Sequence, residues 1–218
     1  MDAKSIKAIL FDLDGTLFKT EAYQLKGWNE VLKKRGFIIS PDDYFKYVGK
    51  TGSEVEKQIV KDYGLKIVPG ELLKEKEELL LKWFGEDNLE LMPYAQETIE
   101  FFSNHPDFKT AICTSGSKKE VMSKLEKNNL KDKFDLIITK DDVSRGKPAP
   151  DVYLEAMKRF NLWGNQCLAV EDTEPGLESA KQAGAFCFII PTEFSLGQDF
   201  SKADKILTSL KDLISFFQ

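Results

Sequence analysis

The sequence contains few of the side chains most often used to bind zinc. It has one histidine, His105, and three cysteines, Cys113, Cys167 and Cys187, among 218 residues. Each cysteine lies in an apolar, strand-like run and none forms a Cys-x-x-Cys pair, so we predict buried thiols in a reducing compartment. With so few such groups, a zinc site or a Ser-His-Asp triad has almost no residues from which it could form.

Long apolar runs and an excess of positive charge are also missing. The run at residues 185–190 is far shorter than the roughly 20 residues of a membrane helix, and no apolar segment at the amino terminus suggests a secretory signal. The net charge of −5 argues against a general nucleic-acid surface, which needs clustered lysine and arginine. We therefore expect a cytoplasmic monomer that binds neither membranes nor nucleic acids.

Strand and helix patterns divide the chain into two kinds of structure. From about residue 92 onward, apolar runs alternate with amphipathic helices, which is typical of a parallel sheet wrapped by helices. Residues 19–90 show only helical patterns. A length of 218 residues favours one domain with an insertion. We predict an α/β core at residues 1–18 and 92–218, with a helical module at residues 19–91 inserted after the first strand.

The expected elements follow from the spacing of apolar residues and from turn signals. The predicted strands are residues 6–11, 109–113, 136–138, 167–170, 185–190 and 206–207. Within the insertion, helices are predicted at about residues 21–35, from Ser40, from a capping box of Ser53 and Glu56, and at about residues 71–84. The two crossings between insertion and core, near residues 17–20 and 88–93, are the predicted hinges of a lid that excludes water.

Two acidic residues, Asp12 and Asp14, follow the first predicted strand, whose apolar residues run nearly unbroken. Open α/β sheets bind their ligands at this end of their strands. The sequence Asp-x-Asp-Gly is also common in simple turns, because aspartate and glycine tolerate the backbone angles of a turn. The stretch at residues 9–17 is therefore a candidate active site if other strand ends supply matching groups.

Polar groups do follow the other predicted strands. Thr114 and Ser115 close the second strand, Lys147 follows the third after a loop, and Glu171 and Asp172 close the fourth. Taken singly, these residues have simpler interpretations: a helix cap, a solvated lysine, and acids in the first turn of a helix. Because the carboxyl ends of parallel strands meet at one edge, their occurrence at successive strand ends predicts a shared cleft.

Four short motifs occur in order along the chain. Asp-x-Asp-Gly-Thr is residues 12–16, a threonine that closes a strand is Thr114, Gly-Lys-Pro-x-Pro-Asp is residues 146–151, and Glu-Asp-Thr is residues 171–173. This set resembles the motifs of the haloacid dehalogenase-type phosphohydrolase superfamily. The helical insertion resembles the cap of its phosphoglycolate phosphatase and β-phosphoglucomutase branch. The resemblance implies an α/β fold with a Rossmann-like parallel-sheet core and an inserted four-helix cap domain.

The resemblance also implies a phosphatase that hydrolyses a small phosphorylated metabolite through an aspartyl-phosphate intermediate. Asp12 would be the nucleophile, and Asp14 would give a proton to the leaving oxygen and later take one from water. Lys147 would offset the repulsion between the Asp12 carboxylate and the phosphate. Thr114 and Ser115 would bind the phosphoryl oxygens together with Lys147.

The same resemblance implies a Mg²⁺ ion as cofactor. Asp12, the backbone carbonyl of Asp14, and Asp172 would bind the ion, with Glu171 among the ligands or just beside them. Oxygen ligands of this kind are those that Mg²⁺ prefers.

The cap is expected to select the substrate, and Tyr23, Gln24, Lys50 and Thr51 are the predicted contacts. A phosphosugar mutase shares the core motifs, but its branch has a histidine and an arginine where an ungapped match places Gln24 and Gly52. This difference favours the phosphatase. A third alternative is a non-enzymatic, phosphate-responsive regulatory domain, which also has aspartate, threonine and lysine at strand ends. A second catalytic acid and a closing cap argue against it, because a slow phosphoryl acceptor needs neither.

Overall fold

The computed structural model describes residues 3–86 and 89–218 and contains one parallel sheet within them. Its strands stand in the order β3-β2-β1-β4-β5-β6, so the first strand of the chain is central. Their bounds are β1 (Ala8–Phe11), β2 (Lys109–Cys113), β3 (Leu136–Ile138), β4 (Cys167–Glu171), β5 (Phe186–Ile189) and β6 (Lys205–Ile206). The predicted α/β fold with a Rossmann-like core is confirmed.

Between β1 and β2 the chain forms a helical cap, and this prediction is also confirmed. Its four α-helices are α1 (Glu21–Lys33), α2 (Pro41–Tyr44), α3 (Gly52–Tyr63) and α4 (Glu71–Glu86). They enclose a hydrophobic core of their own, which includes Trp28, Val31, Ile59 and Leu72. Trp28 is only 2% exposed, so it serves the packing of the cap.

Helices cover both faces of the sheet, as its continuously apolar strands require. Because successive side chains of a strand point to opposite faces, Ile9 and Phe11 of β1 join one hydrophobic core, and Ala8 and Leu10 join the other. The first core receives α5 (Ala95–Ser103), α6 (Lys118–Lys127) and α9 (Leu210–Phe217), and the second receives α7 (Asp151–Phe160) and α8 (Glu174–Gln182). Helix α4 of the cap also packs against α6.

Some details of the predicted elements are wrong, and the bounds of β5 and β6 differ from the predicted 185–190 and 206–207 by one residue at each end. The first strand begins at Ala8 and not at residue 6, and a 3₁₀ turn at residues 3–5 precedes it. The capping box of α3 is formed by Thr51 and Glu54 and not by Ser53 and Glu56. The side chain of Glu56 instead accepts hydrogen bonds from the backbone of Gly70 and Leu73, and so stabilises the beginning of α4.

The two crossings between cap and core lie side by side. The backbone N–H of Met92 donates to the carbonyl of Leu17 at 2.9 Å, and that of Lys19 donates to Glu90 at the same distance. The Lys19 side chain also forms an ion pair with Glu90. Asn88, at the beginning of the second predicted crossing, lies outside the described residues. The division of the chain at these crossings and their role as hinges stay predictions.

The three cysteines are buried and free, as predicted. Burial raises the pKa of the Cys167 thiol to about 12, so it is not a reactive thiolate at neutral pH. A search of the described residues found no helix with the length and apolar character needed to span a membrane.

Candidate active site

The candidate site lies at the carboxyl ends of β1 and β4, where the order of the strands reverses. The chain builds β1, β2 and β3 outward in one direction, then returns to place β4 on the free side of β1. The two strands are paired up to Phe11 and Val170, and the backbone N–H of Asp12 donates to Val170 at 2.9 Å. The acids that follow β1 therefore meet those that end β4, at the place where open α/β sheets bind ligands.

Lys147 is the central cation of the site. Its Nζ donates to Oδ1 of Asp12 at 2.5 Å, to Oε1 of Glu171 at 2.6 Å and to the carbonyl of Cys113 at 2.8 Å. All three ammonium hydrogens thus have acceptors, in a side chain that is 5% exposed. Burial opposes the charge, but Asp12 and Glu171 outweigh it and raise the pKa of Lys147 above its ordinary value. The Tyr153 hydroxyl also donates to Glu171 Oε1.

Three buried carboxylates come together beside this lysine. One oxygen from each of Asp12, Glu171 and Asp172 lies within 4.8 Å of the others. Burial raises the pKa of Asp12 to about 8, against the opposing charge of Lys147, and burial together with Asp12 raises that of Asp172. Within the described residues, Oε2 of Glu171 and Oδ2 of Asp172 have no hydrogen-bond partner. A cluster of unsatisfied carboxylate oxygens is the donor set that a hard divalent cation requires.

Gly15 allows the first motif to pass close to these acids. Its φ of +87° is in the left-handed region, and a Cβ at this position would lie 2.1 Å from Oδ2 of Asp172. Thr16 contacts the other oxygen of Asp172, from its Oγ1, at 3.5 Å. The alternative of a simple surface turn is therefore wrong, since the residues after β1 pack directly against those after β4.

The acids of the fourth motif do not form the first turn of a helix. Glu171 is the last residue of β4, and Thr173 is the N-cap of α8, accepting a hydrogen bond from the backbone of Gly176. The helix approaches Glu171 so closely that a Cβ on Gly176 would lie 2.0 Å from its Oε2. Both acids are thus held in place by backbone packing on either side.

Thr114 and Ser115 follow β2 and face the same cleft. The N-cap of α6 is Ser117, with Glu120 completing the capping box, so neither Thr114 nor Ser115 is needed as a cap. Oγ1 of Thr114 accepts a hydrogen bond from the backbone of Gly116 at 3.1 Å. No described residue accepts a hydrogen bond from the Thr114 hydroxyl or bonds to the Ser115 side chain, so both can contact a ligand in the cleft.

The cleft runs between this strand edge and the cap, and it encloses about 140 Å³. This is room for a small molecule and too little for a folded chain or a nucleic-acid duplex. Of the four predicted cap contacts, Gln24, Lys50 and Thr51 line the cleft, together with Asp12, Asp14, Thr114, Ser115, Lys147 and Asp172. Tyr23 is not among the described lining residues. Its ring packs edge-on against Phe84 at 5.8 Å, because its position on α1 faces α4.

Comparison with known proteins identifies the family. Residues 9–190 match the family described as haloacid dehalogenase-like hydrolase. The chain belongs to this family. The match includes all four motifs, from the acids after β1 to those at the end of β4.

Curated relatives and a solved structure agree with this membership. Protein CbbY of Rhodobacter capsulatus is 32% identical over 209 residues, covering 91% of both proteins. The bifunctional riboflavin kinase/FMN phosphatase of Arabidopsis thaliana is 31% identical, but the matched region is 96% of this chain and 55% of that protein. CbbY from Rhodobacter sphaeroides, solved in complex with phosphate, has a TM-score of 0.85 at 26% identity over 95% of this chain and 96% of its own.

Sequence reasoning missed two buried lysines of this hydrolase. Lys124 of α6 forms an ion pair with Asp14, and Lys76 of α4 lies over the ring of Trp28, with Nζ 4.9 Å from its centroid. Burial lowers the pKa of Lys76. Both lie in helices with many exposed lysines, so the sequence carries no local signal that distinguishes them.

Glu21 of α1 is a third polar group that the hydrolase holds in its interior. It is partly buried beside the cleft, and the hydroxyl of Tyr44 donates to its Oε2 at 2.9 Å. Burial raises the pKa of Glu21 from 4.5 to about 7, because desolvation outweighs the hydrogen bond from Tyr44. Unfolding therefore releases a proton between these two pH values, and the ionised side chain destabilises the fold as pH rises through this range.

We accordingly predict that Glu21→Gln raises the free energy of unfolding at pH 8 and does so less at pH 5. The expected gain at pH 8 is about 1 to 2 kcal/mol, once partial exposure to solvent is allowed for. Urea unfolding at the two pH values measures it. The control, Glu30→Gln, changes an exposed glutamate of the same helix and should show no difference between pH 5 and pH 8. An equal effect of Glu21→Gln at both pH values would contradict this interpretation.

Proposed function

We propose that the protein is a magnesium-dependent phosphatase that hydrolyses a small phosphorylated metabolite through an aspartyl phosphate on Asp12. The coarser class, phosphoric monoester hydrolase, follows from the family and from relatives named as phosphatases. The observation that carries the finer proposal is the contact of Asp12 with Lys147, beside two carboxylate oxygens that have no partner among the residues described. The non-enzymatic alternative is set aside, because the family is one of hydrolases.

The first step is transfer of the phosphoryl group to Asp12. A carboxylate oxygen of Asp12 attacks the phosphorus as the bond to the ester oxygen breaks, and Asp14 gives a proton to that departing oxygen. Two like charges about 4 Å apart at an effective dielectric near 20 repel by about 4 kcal/mol. Lys147 reduces this repulsion between the carboxylate and the phosphate, while Thr114 and the backbone beside it orient the phosphoryl oxygens.

The second step is hydrolysis of the aspartyl phosphate. Asp14, now a carboxylate, takes a proton from a water molecule whose oxygen attacks the phosphorus. The bond between phosphorus and Asp12 breaks, which restores the free carboxylate and releases inorganic phosphate. The cap over the cleft excludes other water during the first step, so that transfer to Asp12 precedes hydrolysis.

The residues present fit a Mg²⁺ ion. Asp12, Glu171 and Asp172 offer clustered, buried oxygens, two of which are unsatisfied within the described residues. Asp12 and Asp172, with the carbonyl of Asp14, would hold the ion, and Glu171 would contribute directly or through water. When bound, the ion neutralises charge on the phosphoryl oxygens and favours the ionised form of Asp12.

The substrate is proposed to be small, because the cleft between cap and strand edge is small. A variant of CbbY from Rhodobacter sphaeroides has been solved with xylulose-(1,5)bisphosphate, a small phosphorylated compound. Gln24 lines the cleft at the position where the mutase branch is expected to have its histidine, so the phosphatase is favoured over the mutase.

Metal removal tests the proposal. Hydrolysis of p-nitrophenyl phosphate in Mg²⁺ should fall at least about 100-fold in EDTA and return when excess Mg²⁺ is added. Rapid acid quenching of a reaction with ³²P-labelled substrate should trap protein-bound label that hydroxylamine removes, as expected of an acyl phosphate. Activity unchanged by EDTA would contradict the metal assignment. No turnover across a panel of phosphate monoesters would contradict the proposed phosphatase.

A further inference from the structure

Lys124 is a buried cation that the mechanism above does not use. It lies on α6 and is 1% exposed, and its Nζ contacts Oδ1 of Asp14 at 2.5 Å. The same Nζ lies 4.7 Å from the centroid of the Phe84 ring, which belongs to α4 of the cap. The lysine is thus placed at the boundary between core and cap, and it touches the residue proposed to move protons.

We propose that Lys124 is a positioning residue that anchors one oxygen of Asp14 so that the other faces the phosphoryl group. This inference rests on the proposed function, since it assigns a task in the same two-step reaction. Lys124 itself does not touch the reacting atoms. It acts through Asp14.

The burial of Lys124 is the first argument. Its helix neighbours Val121 and Leu125 are fully buried apolar side chains, so an apolar residue at position 124 would also fill the space. A buried ammonium group has a large desolvation cost unless an opposite charge compensates it. The compensating charge is Asp14, a residue of the first motif that lies 110 positions away in the sequence. Packing of α6 alone gives no reason for this arrangement.

The placement of the two Asp14 oxygens is the second argument. Oδ1 is taken by Lys124, whereas Oδ2 lies 3.8 Å from the position that a Cβ on Gly116 would occupy. Gly116 belongs to the loop of Thr114 and Ser115, and Asp14 lines the cleft together with that loop. Because Oδ1 accepts from the ammonium group, Oδ2 is the oxygen that gives the proton in the first step and takes one in the second, and the anchor limits its rotation.

The contact with the cap is the third argument. Phe84 is fully buried and presents its ring to the ammonium of Lys124, an attractive cation–π geometry. The ring helps to keep water from the ammonium group, whose side chain is 1% exposed, and a charge pair attracts more strongly where less water is present. The cap therefore reinforces the anchoring of Asp14 when it lies over the core.

The test measures kcat/KM for phosphate monoesters whose leaving groups range from nitrophenol to alkyl alcohols. The value of kcat/KM reports the steps up to phosphoenzyme formation. In these steps an alkoxide leaving group needs a proton, whereas nitrophenolate leaves as a stable anion without one. Lys124→Met is expected to lower kcat/KM by about tenfold or more for alkyl phosphates and by less than about threefold for p-nitrophenyl phosphate. Asp14→Asn, measured in parallel, shows how far the loss of kcat/KM for alkyl phosphates exceeds that for p-nitrophenyl phosphate when the acid itself is removed.

Two further variants complete the design. Lys127→Met changes an exposed lysine on the same helix and should alter neither rate. Lys124→Arg keeps the positive charge and should recover part of the alkyl phosphate activity. If Lys124→Met does not fold, Lys124→Gln takes its place, and its kcat/KM for alkyl phosphates is again compared with that for p-nitrophenyl phosphate.

An equal fall of kcat/KM for every substrate would show a merely structural role and overturn the proposal, as would unchanged rates in Lys124→Met. A wild-type protein that hydrolyses no phosphate monoester would instead contradict the proposed function. The two failures are therefore distinguishable.

Discussion

Asp12→Asn is expected to lower kcat for phosphate-ester hydrolysis at least about 10⁴-fold, because the amide is a poor nucleophile and no aspartyl phosphate can form. Asparagine has nearly the shape of aspartate, and Lys147 keeps its contacts with Glu171 and the carbonyl of Cys113. The fold should therefore persist. Steady-state turnover measures the loss, and quenching with labelled substrate should trap no protein-bound phosphate.

The matched control is Asp107→Asn, which makes the same change at an exposed loop position. It should retain full activity. Circular dichroism and the midpoint of thermal unfolding then show whether the folded state of Asp12→Asn is intact. A correctly folded Asp12→Asn protein that keeps most of its activity would refute the nucleophilic role.

Lys147→Met is expected to affect both activity and stability. Without the ammonium group, the repulsion between carboxylate and phosphate is no longer offset, and a cost of about 4 kcal/mol corresponds to about a 10³-fold loss of rate. The substitution also leaves Asp12 and Glu171 buried without their counter-ion, which destabilises a fold by about 3–5 kcal/mol. Urea unfolding in EDTA measures the loss of stability, and turnover in Mg²⁺ measures the loss of rate.

A double-mutant cycle isolates the ion pair in that prediction. When Asp12→Asn is added to Lys147→Met, one of the uncompensated charges is removed, so part of the lost stability should return. Lys158→Met, at an exposed position of α7, is the control and should change little. Additive effects of the two substitutions would contradict strong coupling between Asp12 and Lys147.

The sheet could be predicted from the sequence because its strands are buried on both faces. A short unbroken apolar run such as residues 8–11 is typical of a buried strand. The observed bounds of β2 and β3 coincide with the predicted ones. The capping of α3 could not be decided in the same way. Thr51 and Ser53 each have a glutamate three residues later, and only the packing of Glu56 against the beginning of α4 removes the ambiguity.

Some features of the candidate site could likewise be predicted from the sequence, and others could not. The acids after β1 and β4 could be predicted to meet because parallel strands bring their carboxyl ends to one edge, and Lys147 contacts both sets. The environment of Tyr23 could not be predicted, since adjacent positions of a helix face different neighbours. Of this pair, Gln24 is the one found among the described residues that line the cleft. Lys124 was missed because its partner is contributed by another part of the chain.

The central position of β1 has a consequence for synthesis on the ribosome. Ala8 pairs with Lys109 on one side and with Cys167 on the other, so the strand that precedes Asp12 emerges long before either neighbour. The cap can form in the meantime from contacts within residues 21–86. Sheet assembly has to wait for distant partners, which makes it slow and leaves an apolar strand exposed to aggregation. We therefore expect nascent chains that end before β4 to lack a completed sheet and to need protection by chaperones.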